Sequence, residues 1–271
     1  MSAQGATQTT VHTLARMKRE GKRIVCLTCY DAGFAALEEA AGVDVMLVGD
    51  SLGMVVQGRE TTLPVSVDDM IYHCAAVARA RRKALLAVDM PFMSYNTPAE
   101  ALANAGRLMK EGEAQMVKLE GGAEQVATVA HLVAHGVPVC SHLGLLPQSV
   151  HKLGGYRVQG READAAARMI EEAKALEAAG AGLMVVECIP SALAGRLRAA
   201  LSIPVIGIGA GADCDGQVLV LYDMLGMNGG HVPKFVKNFL AGRDSIQEAI
   251  AGYARAVREG EFPAAEHSFD A

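Results

Sequence analysis

Eight short apolar runs punctuate the 271-residue chain, and they constrain its fold more than any other feature. The runs are rich in Val, Leu and Ile, and they are apolar throughout instead of alternating with polar residues. Such runs are typical of parallel strands that are covered on both faces. Stretches with helical periodicity separate most of them. The runs occupy residues 24–29, 45–48, 85–88, 116–119, 137–140, 183–186, 205–208 and 218–222.

This alternation predicts a closed (β/α)8 TIM barrel, a fold of about 250 residues, in preference to an open doubly wound sheet. No flexible linker or shift in composition divides the chain, so we predict a single catalytic domain over residues 1–271. One connection departs from the pattern. Only residues 210–217 separate the last two runs, so either the intervening helix is reduced to a turn or one strand is misassigned.

Capping signals define several helices. Thr97 at an N-cap, Pro98 at the first helical position and Glu100 three residues after the cap predict a helix that runs to Gly112. Residues 164–180 are rich in Ala, Glu, Arg and Lys and end on glycine, which predicts another helix. Residues 10–21 predict an extra amphipathic N-terminal helix that can plug the bottom of the barrel.

Charge and hydropathy narrow the class of protein. The net charge of −5 is spread over both halves, which argues against nucleic acid or an anionic membrane as the main partner. The N-terminus lacks the apolar region of a secretory signal. The longest apolar stretch, residues 203–212, is interrupted by Pro204 and several glycines and is too short to span a bilayer. We therefore expect a soluble, cytoplasmic protein.

Cys26 and Cys29 have the spacing of a redox or zinc motif. They lie in a predicted strand, however, where residues three apart point to opposite faces. The sequence contains no second CxxC pair. We therefore favour buried structural thiols in a reducing compartment for the six cysteines.

Polar residues follow the apolar runs at the carboxyl ends of the predicted strands, where barrels of this kind place their active sites. Carboxylates are the ligands that Mg²⁺ prefers. Neighbouring strands can aim Asp50 and Asp89 at one point, and Glu120 can hold a metal-bound water. The residues at the strand ends are Asp50, Ser51, Asp89, Lys118, Glu120, Ser141, His142, Glu187 and the glycines at 209 and 211.

The chemistry that this set suggests is enolisation of a small 2-oxo acid. Lys118 can meet a substrate carboxylate, although a structural ion pair with Glu120 is an equal alternative. Glu187 is a carboxylate that the metal does not require, so it is a candidate base. His142 competes for that role, and orienting a neighbour is its plainer explanation.

Nine sequence blocks resemble the ketopantoate hydroxymethyltransferase (3-methyl-2-oxobutanoate hydroxymethyltransferase) family. The likeness extends from about residue 10 to residues 266–269, in the order expected for the family. The blocks are VGDSLGM at 48–54, TLPV at 62–65, DMPFM at 89–93, VKLEGG at 117–122, HLGL at 142–145 with PQS at 147–149, GGYRVQGR at 154–161, ECIP at 187–190, IGIGAG at 206–211 and GGHVPKF at 229–235.

The resemblance implies a TIM barrel of the phosphoenolpyruvate/pyruvate superfamily type. It also implies one-carbon transfer from 5,10-methylenetetrahydrofolate to 3-methyl-2-oxobutanoate, which gives 2-dehydropantoate in pantothenate biosynthesis. One Mg²⁺ per subunit and a homodecamer of two stacked pentamers are further implications. By the resemblance, Asp50, Asp89 and Glu120 belong to the metal site. Asp50, Ser51, Asp89, Lys118 and His142 belong to the substrate site, and Glu187 is the catalytic base.

Two other functions remain open at this level. A lyase or mutase of the same superfamily would act on an oxo acid without folate. A catalytically silent barrel would only bind a metabolite, although it would have no reason to keep the acidic set intact. The segment 151–161 is either a mobile lid or folate contact, or a plain surface loop.

Overall fold

The fold is a closed barrel of eight parallel strands, as the sequence predicted. The structure is a computed structural model that describes residues 8–227, 229, 230 and 232–270. The strands follow one another around the barrel in chain order, and the last pairs with the first. They are β1 Ile24–Thr28, β2 Val45–Val48, β3 Leu85–Asp89, β4 Met116–Glu120, β5 Val139–Gly144, β6 Leu183–Glu187, β7 Val205–Ile208 and β8 Gly216–Leu219. The single domain predicted for residues 1–271 includes residues outside this description and stays a prediction. His231 of the GGHVPKF block also lies outside the described residues.

Eleven α-helices occur in the described residues, and the longer ones cover the outside of the barrel. They are α1 Val11–Arg19, α2 Ala32–Ala41, α3 Leu52–Val55, α4 Val67–Ala80, α5 Pro98–Lys110, α6 Val126–Ala134, α7 Val150–Leu153, α8 Ala163–Ala178, α9 Ser191–Ala200, α10 Leu221–Met224 and α11 Ile246–Glu259. The Thr97 hydroxyl caps α5 by accepting from the Glu100 N–H, as predicted. This helix ends at Lys110, slightly before the predicted Gly112.

Two predicted strands have different bounds. The fifth begins at Val139 instead of residue 137, since Pro138 has no N–H to donate, and it continues through the polar residues to Gly144. The eighth begins at Gly216, where a Cβ would lie 2.2 Å from the Ile24 carbonyl oxygen. Only glycine permits that approach, so an apolar pattern could not reveal it. Tyr222, assigned to this strand from the sequence, lies in α10.

The N-terminal helix plugs the barrel, as predicted. Leu14 of α1 is fully buried in the cluster of inward-facing strand residues that includes Ile24 and Met116. The Lys18 ammonium forms an ion pair with Asp215 at 3.1 Å and donates to the Ile203 carbonyl at 2.7 Å. Both contacts bind the helix to segments that flank β7 and β8.

The short connection before β8 is a turn, which settles the alternative left open by the sequence in favour of a reduced connection. Residues 209–215 contain no helix, and both flanking strands are present in the barrel. The Asp215 carboxylate accepts from the Val205 N–H at 2.9 Å, and the Asp215 carbonyl accepts from the Ile24 N–H. These bonds replace the packing that a crossover helix would provide.

The six cysteines are buried free thiols. Cys26 faces the barrel interior and Cys29 faces the helical layer, so the CxxC pair is divided between two cores. Within the described part of the chain, no helix has the length and apolar character needed to cross a membrane.

Candidate active site

The carboxyl ends of the strands surround a cavity of about 620 Å³. Every site residue predicted from the sequence lies in its wall: Asp50, Ser51, Asp89, Lys118, Glu120, His142 and Glu187. Except for Ser51 and Glu187, these residues are at most 5% exposed. A buried set of ionisable groups around one cavity is the usual composition of an enzyme site.

Asp50, Asp89 and Lys118 form the most tightly connected part of the site. The Asp50 N–H donates to Asp89 Oδ2 at 3.0 Å, and the Lys118 ammonium donates to Asp89 Oδ1. The sequence left an ion pair between Lys118 and Glu120 open, whereas the structure pairs this lysine with Asp89 on the adjacent strand. Gly49 permits the arrangement, because a Cβ there would lie 2.7 Å from Ser51 Oγ.

The charges in this cluster shift two pKa values. Burial raises the pKa of Asp50 well above its usual range, and the negative charges of Asp89 and Glu120 raise it further. Burial alone would lower the pKa of Lys118, but the carboxylates of Asp89, Glu120 and Asp50 outweigh it and raise that pKa. The neighbouring carboxylates therefore favour the charged form of Lys118.

His142 lies between two carboxylates. Its Nδ1 is 3.5 Å from Glu120 Oε1, and its Nε2 is 3.3 Å from Glu187 Oε2. Neither contact has hydrogen-bond geometry, and both ring nitrogens lack a hydrogen-bond partner among the described residues. Burial and Lys118 lower the pKa of His142, but the two glutamates outweigh them and raise it. A small movement would let the ring donate to either carboxylate.

Gln148 and Tyr95 do not line the cavity, but Gln148 bonds directly to two carboxyl groups in its wall and Tyr95 bonds to Gln148; the sequence had assigned no role to either residue. The Gln148 side-chain amide donates to Asp50 Oδ2 at 2.9 Å, and the Tyr95 hydroxyl donates to Gln148 Oε1. Tyr30 makes a similar contact with Ser51, at 2.9 Å between the two hydroxyl oxygens. Gln148 lies in the resembling PQS block, but a block match does not show which atoms meet.

Residues 8–265 match a model of the ketopantoate hydroxymethyltransferase family. The chain belongs to the ketopantoate hydroxymethyltransferase family. The 3-methyl-2-oxobutanoate hydroxymethyltransferase of Alkalilimnicola ehrlichii is 60% identical over 260 residues, covering 96% of this chain and 94% of that protein. The protein of the same name from Halorhodospira halophila is 59% identical over 262 residues, covering 97% and 95%. The chain is therefore an enzyme of this family, which excludes a silent barrel.

Solved structures outside the family share the fold of this hydroxymethyltransferase-family enzyme. A phosphonopyruvate hydrolase aligns with a TM-score of 0.61 and 13% identity over 92% of this chain and 96% of its own. A 2,3-dimethylmalate lyase of the PEP mutase/isocitrate lyase superfamily aligns with a TM-score of 0.57 and 17% identity, covering 82% of this chain and 84% of that one. The predicted TIM-barrel fold is thus confirmed.

The predicted metal site depends on the carboxylates that line the cavity. Among the described residues, no group of three or more His, Cys, Asp and Glu side chains is arranged to hold a metal ion. Mg²⁺, however, usually takes one or two protein carboxylates and completes its octahedron with waters and substrate. The adjacent Asp50 and Asp89 fit that pattern. Glu120 Oε1 is buried without a hydrogen-bond partner, which fits an acceptor for a metal-bound water. The predicted ligand set stays a prediction.

The remaining cavity wall of the enzyme is largely apolar. Tyr156, Arg157 and Val158 line it, so the segment 151–161 contributes to the cavity and is more than a plain surface loop. Phe235 and Phe269 form another part of the wall. A Cβ at Gly209 would lie 2.9 Å from the Phe235 ring, and φ there is +59°. A tight turn packed on an aromatic ring therefore explains this glycine.

Proposed function

We propose that this enzyme transfers a one-carbon unit from 5,10-methylenetetrahydrofolate to 3-methyl-2-oxobutanoate, with Mg²⁺ bound at Asp50 and Asp89. The name carried by relatives at about 60% identity supports the acceptor and the group transferred. The observation that carries the proposal is the convergence of carboxylates, one buried lysine and one buried histidine on a single cavity. Glu120 acts in this scheme through a water molecule.

Lys118 and Ser51 bind the oxo acid. Lys118 is only 5% exposed. Its positive charge can pair with the substrate carboxylate, so no further charged side chain is needed for this contact. The Tyr30 hydroxyl lies 2.9 Å from Ser51 Oγ, which restricts the direction in which the serine donates to the substrate. Asp50 and Asp89 would hold a divalent cation, which would supply Lewis-acid activation of the carbon beside the ketone.

Glu187 removes the proton from C3 of the oxo acid. It lies at the end of β6 in the cavity wall, on the far side of His142 from Glu120. The proton passes to a carboxylate oxygen of Glu187, and the electron pair of the C3–H bond moves toward the ketone oxygen. His142 would orient the carboxylate once a small movement lets its Nε2, which lies 3.3 Å from Glu187 Oε2, form a hydrogen bond.

The enolate carbon then attacks the methylene carbon of the iminium form of the folate. A carbon–carbon bond forms, and the bond between the methylene carbon and the folate nitrogen then breaks. One water supplies the hydroxyl group to that carbon, while the nitrogen keeps the electron pair of the broken bond and takes the second proton of the water. The products are 2-dehydropantoate and tetrahydrofolate. The apolar wall around Tyr156 and Phe269 offers surface for the folate and limits access of other water.

Proton NMR of 3-methyl-2-oxobutanoate in D2O tests both halves of this reaction. With Mg²⁺ and no folate, we expect loss of the C3 proton signal, and addition of EDTA should stop that loss. Addition of methylenetetrahydrofolate should then give 2-dehydropantoate. Folate-independent bond cleavage would favour a superfamily lyase, and an unchanged substrate under all conditions would refute the proposed chemistry.

We also propose a cytoplasmic location and a homodecamer of two pentamers, in which each subunit binds one Mg²⁺. The family resemblance supports the assembly and the metal. The six buried free thiols support the location, since cysteines stay unpaired in a reducing compartment.

A further inference from the structure

Gln148 forms hydrogen bonds with two carboxyl groups of the site, and the reaction scheme does not explain these contacts. It lies in a 3₁₀ turn, Pro147–Ser149, in the segment that follows β5. Although it belongs to a loop, it is only 5% exposed. Its side chain extends toward the ends of β2 and β3, where it reaches groups from two other loops. A buried amide on a connecting segment needs partners for all its polar atoms.

The side-chain nitrogen of Gln148 has two acceptors. Nε2 donates to Asp50 Oδ2 at 2.9 Å and to the Met90 carbonyl oxygen at 2.9 Å. These bonds use both amide hydrogens. The opposite orientation of the amide would place Oε1 against two acceptors, so the network permits only one orientation.

Tyr95 fixes the other end of the amide. Its hydroxyl donates to Gln148 Oε1 and accepts from the Glu120 N–H at 3.4 Å. The Gln148 N–H in turn donates to Glu120 Oε2 at 3.0 Å. Gln148 thus donates to one oxygen of Asp50 through its side chain and to one oxygen of Glu120 through its backbone. Tyr95, Gln148 and Glu120, which form a closed ring of hydrogen bonds, are all buried.

The charge of the site explains why a neutral donor serves here. Asp50, Asp89 and Glu120 place three buried carboxyl groups around one cavity. A carboxylate in place of Gln148 would add a fourth negative group beside them, whereas the neutral amide donates one N–H to Asp50 and adds no charge. An apolar side chain would leave Asp50 Oδ2 without this partner, and buried acceptors without partners are costly.

We propose that Gln148 is a positioning residue that fixes the Asp50 carboxylate for binding of a divalent cation, with Tyr95 locking its amide. The inference rests on the proposed function, because it assigns the cation to Asp50. Its alternative is a purely structural role, in which Gln148 only anchors its own loop to the Met90 carbonyl.

Gln148→Met is the discriminating variant, because methionine has a similar length and cannot donate. The backbone N–H bond to Glu120 is retained, so the change removes only the side-chain bonds to Asp50, Met90 and Tyr95. Gln217→Met is the matched control. Gln217 is 2% exposed, donates to the Gly211 carbonyl at 3.0 Å and does not line the cavity. Tyr95→Phe removes only the hydroxyl and serves if Gln148→Met does not fold.

The assay is titration of the full-length protein with Mn²⁺ alone, with free ion counted by electron paramagnetic resonance and thermal unfolding recorded without metal. We expect Gln148→Met to bind Mn²⁺ roughly ten-fold more weakly, as is typical when a residue that orients a ligand is lost. Tyr95→Phe should weaken Mn²⁺ binding less than Gln148→Met does. Gln217→Met should lose about as much thermal stability as Gln148→Met but bind Mn²⁺ as the wild type does.

Three outcomes separate the hypotheses. If Gln148→Met, or Tyr95→Phe where that variant must stand in, binds Mn²⁺ within two-fold of the wild type, the positioning role is wrong and the proposed function is unaffected. If Gln217→Met weakens binding as much as Gln148→Met, the effect is general destabilisation and the inference is again wrong. If the wild type binds no Mn²⁺, the metal assignment of the proposed function fails, and this inference fails with it.

Discussion

Replacing Glu38 by glutamine should remove a loss of stability that grows as the pH rises. Glu38 lies on the inner face of α2 and is fully buried. Both of its carboxylate oxygens lack a hydrogen-bond partner among the described residues. Burial raises the pKa of Glu38 well above its ordinary value of 4.5, and the Asp31 charge adds to the increase although Cys29 opposes it. The folded protein therefore keeps this carboxyl protonated where the unfolded chain has ionised it.

The sign and size of the effect follow from proton linkage. Below pH 4.5 both states hold the proton, and Glu38 adds no pH dependence. Above that pH only the folded state holds it, so the free energy of unfolding falls by about 1.4 kcal/mol per pH unit until the folded pKa is reached. Each pH unit in that interval corresponds to roughly 3–5 °C in Tm for a domain of this size.

The assay is thermal unfolding of wild type and Glu38→Gln at half-unit steps from pH 5 to 7.5. A buried glutamine also lacks partners, so the difference at one pH mixes two effects, whereas its change with pH isolates the proton. The gap in Tm should move in favour of Glu38→Gln as the pH rises. Glu259→Gln, on the exposed last residue of α11, should change Tm equally at each pH. Parallel curves for wild type and Glu38→Gln would refute the reasoning.

Three further predictions concern the plug, the base and the assembly. Leu14→Ala should lower the free energy of unfolding by about 2–5 kcal/mol, because the side chain is fully buried in the barrel interior; denaturant titration measures this, and a loss under 1 kcal/mol would contradict the plug. Glu187→Gln should slow C3 proton exchange by about 10²–10⁴-fold with oxo-acid affinity within a few-fold of wild type, as followed by NMR and calorimetry; unchanged exchange would assign the base elsewhere. Light scattering should give about 284 kDa, ten times the chain mass of 28.4 kDa, and a mass of one or two chains would rule out the decamer.

The barrel could be predicted from the sequence because continuous apolar runs and short capping motifs are local signals. The Thr97 cap and the turn between β7 and β8 were both within reach of that reasoning. The errors arose where a strand contains residues without apolar side chains. Gly216 begins β8 because its backbone approaches the Ile24 carbonyl, and β5 continues through polar His142 because that residue faces the site.

The residues lining the site could also be predicted, since parallel strands bring their carboxyl ends to one face. The partners within the site could not. Asp89 and Lys118 are paired because β3 and β4 place them directly opposite each other, and that register appears only in the folded barrel. A sequence pattern shows which side chains reach the cavity and leaves open which charge each one neutralises.

Gln148 marks the boundary of what such reasoning can reach. Nothing about a glutamine after a proline distinguishes a surface turn from a buried one, and its partners are 98 residues away at Asp50 and 28 residues away at Glu120. Its function depends on the path of a loop, which brings an amide close to two carboxylates that need hydrogen-bond donors. An additional positive charge is not required there. Acidic clusters at strand ends therefore give a rule for finding positioning residues. The residues to test first are the buried neutral donors that satisfy one oxygen of each carboxylate and leave the other for chemistry.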